Sequence, residues 1–194
     1  MDWSAVLKDN LAASVAAKEA MLADAAQMEE FRRAAEAVVE CYRNGGRLYI
    51  AGNGGSAADA QHLATEFVSK LARDRAPLPA EALTTDSSLI TAIGNDYGYE
   101  NVFSRQVAGK ASPKDMFLGI TTSGVSPSIL RALEQCRRQG VKSVLFTGRD
   151  GGPAKPLADF AIVAPGGSTN CIQEVHIVLA HSLCESVERA MFPS

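Results

Sequence analysis

The chain has 194 residues, 46% hydrophobic and 21% charged, with 19 basic against 22 acidic side chains and a formal charge of −3. This is the composition of a single globular domain with a full-sized core, which excludes disorder or a coiled coil as a description of the whole. The slightly acidic balance leaves no electrostatic footprint for nucleic acid or an anionic membrane, and the apolar runs fall far short of the roughly 20 residues that span a bilayer.

The opening stretch MDWSAVLKDN carries no export signal, and Cys41, Cys136, Cys171 and Cys184 show neither CxxC pairing nor regular spacing. Both features predict a chain of the reducing cytoplasm, without a disulfide framework. Three of the cysteines read as small core hydrophobes, while Cys171, beside a polar motif, stays open.

Residues 3–43 place Val6, Leu7, Leu11, Met21, Leu22, Ala25, Met28, Phe31, Val38 and Val39 at helical spacing, which predicts one long or two consecutive amphipathic helices. The stretch RNGG at 43–46 ends them, with Gly as the left-handed cap. From there short apolar runs at 47–51, 80–84, 116–121, 143–147 and 160–164 read as buried strands. Helical patterns fall between most of them, at 56–72, 87–94 with 100–109, and 127–139, and a long helix over roughly 169–190 closes the chain. Continuous apolar strands alternating with helices predict a doubly wound α/β sandwich: a parallel sheet covered on both faces. The expected organisation is one domain, 1–194, with an N-terminal helical segment at 1–45 and an α/β core at 46–194.

Ligands of such sheets collect at the carboxyl ends of the strands. Three junctions there carry unusual polar content: GNGGS at 52–56, TTDSS at 84–88 and TTSGVSPS at 121–128. In the last, Ser126 followed by Pro127 reads as an N-cap with proline in the first helical position. That accounts for neither Thr121, Thr122 nor Ser123. Hydroxyls gathered at a helix N-terminus predict a site for phosphate or a similar anion, without a lysine. Neither GxxxxGK[ST] nor GxGxxG is present.

On the helix predicted at 56–72, Asp59, His62 and Glu66 share a face, and His62 and Glu66 are one turn apart. A solvated stripe would look similar; a His and a Glu at this spacing can also chelate one metal ion or form a simple pair. On the last helix Gln173 and His181 are eight positions apart, about 80° round an ideal helix, so both can look into one site. His176 points partly elsewhere; a histidine on an apolar helix is more often a core or interface residue than a ligand, but two of the chain's three histidines on this helix, with a Gln, weigh against that reading. The segment TAIGNDYGYENVFSRQV at 91–107 is ordinary turn chemistry around Asn95-Asp96-Tyr97-Gly98.

Taken in order, AGNGGSAADAQHLATEF, ALTTDSSLITAIGNDYGYENVFSRQV, TTSGVSPSIL, FTGRDGG and IQEVHIVLAHSLCE resemble the sedoheptulose 7-phosphate (phosphoheptose) isomerases of the sugar-isomerase (SIS) superfamily. The resemblance covers nearly the whole chain. It implies a flavodoxin-like sandwich with a five-stranded parallel sheet, assembled as a homotetramer. The implied reaction converts sedoheptulose 7-phosphate, a phosphorylated seven-carbon sugar, to D-glycero-D-manno-heptose 7-phosphate through an enediol. This is the first step toward activated heptose for lipopolysaccharide core or other surface glycans. One Zn²⁺ is implied, on His62, Glu66, Gln173 and His181, with Glu66 as catalytic base and His181 as acid. The resemblance gives the phosphate to Thr121, Thr122, Ser123 and Ser126, and sugar hydroxyls to Asn53, Ser56 and Asp96. It also gives substrate contacts to Gly54 and Gly55 of the same glycine loop, to Glu66, and to Thr169 and Gln173 at the start of the last helix.

The chain departs from the family's commonest forms at Thr121 (usually Ser), Val125 (Asn), Cys171 (Arg) and Lys70 (Arg), which bear on substrate affinity more than on the acid–base pair. A related branch works as a replication-initiator-associating binding module. It has replaced the early Glu and the late His, and both are present here. Other SIS proteins, which sense or isomerise different phosphosugars, usually carry extra domains.

Overall fold

The five apolar runs form one sheet in the computed structural model, which describes residues 2–193. The strands are β1 (Leu48–Gly52), β2 (Ala80–Ala82), β3 (Met116–Ile120), β4 (Lys142–Gly148) and β5 (Phe160–Ala164). They lie in the order β2-β1-β3-β4-β5, and every pairing is parallel. Successive side chains of a strand face opposite ways, so each run feeds two cores. Leu48, Ile50, Leu118, Ile120, Val144 and Phe146 pack on one face, while Tyr49, Ala51, Phe117 and Leu145 pack on the other. That double burial is why the runs are continuously apolar rather than alternating.

The helices are α1 (Trp3–Ala23), α2 (Ala25–Arg43), α3 (Gly55–Val68), α4 (Ser87–Tyr97), α5 (Ser104–Lys110), α6 (Pro127–Gln139) and α7 (Thr169–Met191). Buried residues of α2, α3 and α7 join the first core, and those of α4, α5 and α6 the second. The N-terminal pattern resolves into two helices because Asp24 caps the second: its carboxylate accepts from the N–H groups of Ala26 and Gln27, both at 3.0 Å. All four cysteines are free and buried, Cys171 included. No helix among the described residues is long and apolar enough to cross a membrane.

Two boundaries differ from expectation. The 80–84 run pairs only through Ala82, because the chain then turns into α4, where Asp86 accepts from Leu89 N–H at 2.9 Å. The helix expected to reach residue 72 ends at Val68, and the N–H groups of Leu71 and Ala72 turn instead onto the carboxylate of Glu188, at 3.0 and 3.1 Å.

The open edge of β5 is covered from α2. Glu30 Oε1 accepts from Ala161 N–H at 3.1 Å and Gln27 Oε1 from Val163 N–H at 2.6 Å, the positions a sixth strand would use.

Candidate active site

With strand order 2-1-3-4-5, the chain winds in opposite directions from β1 and β3, so their carboxyl ends open a crevice. Both glycine-containing loops meet there. Gly54 has φ +56° and ψ −122°, a conformation that only glycine adopts readily, and it launches α3 directly from β1. Gly124 has φ +69°, and a Cβ there would lie 2.1 Å from the Gly151 carbonyl oxygen, so the loop after β3 is pressed against the loop after β4.

Asn53 joins the two sides of the crevice. Its Nδ2 donates to Ser126 Oγ at 2.8 Å and to Ser128 Oγ at 2.9 Å, while its Oδ1 accepts from the Tyr99 hydroxyl at 2.9 Å. Ser126 occupies the N-cap position of α6 and Pro127 follows it, as the sequence predicts, but its side chain makes no capping bond. The hydroxyl is held by Asn53 and remains half-buried beside the helix N-terminus.

A second cluster lies where α3 faces α7. His62 Nε2 is 3.0 Å from His181 Nε2 and 3.3 Å from Glu66 Oε1. The three ligand atoms all lie within 4.8 Å of one another, close enough to share a metal ion. Residues 62 and 181 are 119 positions apart, and the two imidazoles tilt toward each other with centroids 5.1 Å apart. Asp59, one turn before His62, is partly buried, and its Oδ2 has no hydrogen-bond partner among the described residues. Burial raises its carboxyl above the usual carboxylate range, and the charge of His62 opposes that shift only in part.

The register between the two helices is held further along by a buried ion pair. Arg75 Nε donates to Glu188 Oε1 at 3.0 Å, with both side chains almost wholly buried. The same guanidinium donates to the carbonyls of Glu66 at 2.8 Å and Phe67 at 2.6 Å, the open C-terminal end of α3. Burial alone would raise the Glu188 carboxyl, but the N–H groups of Leu71 and Ala72 and the Arg75 charge outweigh it and hold it below its ordinary value. On the inner side of α7, His176 Nε2 donates to the Thr147 carbonyl at 2.9 Å, and its buried Nδ1 has no partner among the described residues. It is a core histidine.

Of the residues expected at the site, the structure brings His62, Glu66 and His181 into one group and Asn53 and Ser126 into another. The Gln173 amide lies at the head of α3, where a Cβ on Gly55 would come within 2.3 Å of its Nε2. Among the described residues, Gln173 hydrogen-bonds to none of the three in the first group. Ser56 is buried under the glycine turn, its N–H donating to the Asn53 carbonyl at 3.0 Å. Thr121 is buried at the end of β3; Thr122 and Ser123 are half-buried in the loop, where Ser123 Oγ accepts from Val125 N–H at 3.4 Å. Asp96 is exposed at the end of α4 and accepts from Asn95 at 2.7 Å, and Thr169 is exposed in the first turn of α7. Tyr99 and Ser128 were not foreseen. A serine inside a helix and a tyrosine in a turn carry no local signal of a shared partner.

The sheet order, with polar loops at the β1/β3 crevice, is that of a doubly wound α/β protein, and residues 13–148 match the SIS domain family. The chain is 49% identical over 186 residues to the phosphoheptose isomerase of Aneurinibacillus thermoaerophilus, covering 96% of this chain and 94% of that one. It is 50% identical over 173 residues to that of Burkholderia pseudomallei, covering 89% and 88%. Among solved structures, a phosphoheptose isomerase from Francisella tularensis superposes with a TM-score of 0.92 at 34% identity, over 97% of this chain and 100% of that one. That from Neisseria gonorrhoeae gives 0.89 at 37%, over 95% and 98%. The chain belongs to the phosphoheptose isomerase family of SIS-domain proteins.

Proposed function

We propose that this family member interconverts sedoheptulose 7-phosphate and D-glycero-D-manno-heptose 7-phosphate, an aldose–ketose isomerisation supplying activated-heptose synthesis for lipopolysaccharide core or other surface glycans. The observation that carries the reading is the convergence of Glu66 and His181 from two helices, with an anion-suited loop after β3 in the same fold. In this reading the Glu66 carboxylate removes a proton from C1 of the ketose and returns it to C2 on the same face. His181 gives a proton to the oxygen on C2 as the enediol forms and recovers one from the oxygen on C1, so no net proton is consumed. Thr121, Thr122, Ser123 and Ser126 hold the phosphate, with the N–H groups at the start of α6. Asn53, Ser56 and Asp96 orient the sugar.

Zn²⁺ suits the donor set. A tetrahedral ion with bonds of about 2.0–2.1 Å spaces its ligand atoms about 3.3 Å apart, and the two separations to His62 Nε2 are 3.0 and 3.3 Å. His62, Glu66 and His181 would hold it, with Gln173 near the start of α7 as fourth ligand. When bound, it would polarise the substrate oxygens and stabilise negative charge developing on them.

The same reading makes the protein a cytoplasmic homotetramer with no nucleic-acid partner. Four free, buried cysteines suit a reducing compartment. The assembly is supported by α1, which buries Ser14, Ala17 and Met21 but leaves Trp3, Leu7, Leu11, Val15 and Leu22 between 54% and 76% exposed.

The test is turnover of sedoheptulose 7-phosphate by purified protein, chelated and then reloaded with Zn²⁺, beside Glu66→Gln. Metal-dependent turnover that falls roughly a thousandfold in the variant is expected. No turnover by the metal-loaded wild type would move the assignment to another phosphosugar or to a binding role.

A further inference from the structure

Four side chains at the crevice form a hydrogen-bonded chain whose direction matters. Asn53 offers two hydrogens on Nδ2 and lone pairs on Oδ1. Both hydrogens are taken, by Ser126 Oγ at 2.8 Å and Ser128 Oγ at 2.9 Å. The two serine oxygens are 3.3 Å apart, so either can donate to the other. Ser128 is 2% exposed, whereas Ser126 is half-buried at the mouth of the loop. Among the described residues the buried Ser128 hydroxyl has no other acceptor, whereas Ser126 can reach a ligand, so the arrangement that satisfies both has Ser128 donating to Ser126. Ser126 Oγ then accepts twice, from Asn53 and from Ser128, and its own hydrogen is the capacity it has left. That hydrogen is left for a ligand of the loop after β3.

The chain runs this way only while the Asn53 amide keeps its orientation. Turned over by 180°, Oδ1 would accept from both serines, and Ser126 would present lone pairs to an incoming phosphate. At the far end stands the Tyr99 hydroxyl, 2.9 Å from Asn53 Oδ1. A phenol is a better donor than an aliphatic alcohol, and donors in series polarise one another.

We infer that Tyr99 is a positioning residue for phosphate binding: its hydroxyl fixes the Asn53 amide so that Ser126 meets the substrate as a hydrogen-bond donor. The inference rests on the assignment of the loop after β3 to the phosphate. Tyr99 is 56% exposed and contributes little to the core, so its hydroxyl can be removed without unfolding the protein.

The test compares Zn²⁺-loaded wild type, Tyr99→Phe and Ser128→Ala. It measures kcat and KM for sedoheptulose 7-phosphate, the inhibition constant of inorganic phosphate, and phosphate affinity by calorimetry, which needs no turnover. In both variants KM and the phosphate constants should rise together, roughly fivefold for the loss of one hydrogen bond in such a chain, with kcat within about twofold of wild type. The Phe variant keeps the ring, so a packing role predicts no change. Unaltered phosphate affinity in Tyr99→Phe, or a fall in kcat at constant KM, overturns the inference while leaving the isomerase intact. A wild type that turns over the sugar but is neither inhibited by nor bound to inorganic phosphate overturns the phosphate-loop assignment and the inference with it.

Discussion

His176 shows what burial does to a single side chain. Its Nε2 donates to the Thr147 carbonyl and its Nδ1 lone pair has no partner, so the ring is neutral in the folded protein. Burial pushes its pKa from an ordinary 6.5 down to about 4. The unfolded chain takes up this proton first as pH falls, so stability is complete above about pH 6.5 and is lost down to about pH 4. Between pH 7.5 and 5 the loss is about 2 kcal/mol. Thermal unfolding over that range should fall more steeply for wild type than for His176→Gln, and parallel slopes would assign the loss to other groups. Neither Glu66→Gln nor Tyr99→Phe touches this residue, so their kinetic effects should leave that pH dependence unchanged.

At the level of elements, α3 and α7 must be held in register for a 119-residue separation to close to 3.0 Å between His62 and His181. The Arg75–Glu188 pair performs that task from the far end of α3. Glu188→Gln leaves a buried guanidinium uncompensated and should cost about 3–5 kcal/mol in urea unfolding. It should also weaken Zn²⁺ binding in competition with a chelator; unchanged metal affinity would reduce the pair to a stability role. Because the Glu188 carboxyl is held low when folded, its contribution is present above the unfolded carboxylate range and lost as pH falls through the folded value. This latch also marks the limit of what the sequence reveals. Five apolar runs and their intervening helices were legible because periodicity and burial are local properties. The end of α3 was not: helical spacing continues to Leu71, and the competing acceptor lies on Glu188, 117 residues away. The grouping of His62 and Glu66 could be read from one helix, whereas their meeting with His181 came from the family resemblance. Tyr99 escaped both, since only the fold brings it to Asn53.

For the whole molecule, α1 is the element least explained by a single copy. It buries only Ser14, Ala17 and Met21, while Trp3, Leu7, Leu11, Val15 and Leu22 stay exposed, more apolar surface than a helix that has finished packing leaves in water. Leu7→Glu with Leu11→Glu should lower the mass measured by sedimentation below that of a tetramer, with the circular dichroism of the α/β core retained. An unchanged mass would place the subunit contact elsewhere. The direction in which copies can be added is also restricted. At one edge of the sheet Gln27 and Glu30 take the hydrogen bonds that an incoming strand would need, and at the other β2 offers only three residues. Backbone templating, the route by which exposed sheets polymerise into fibrils, is closed at the longer edge and short at the other. Growth strand by strand is therefore disfavoured, and a concentrated solution of this protein should stay free of fibrils.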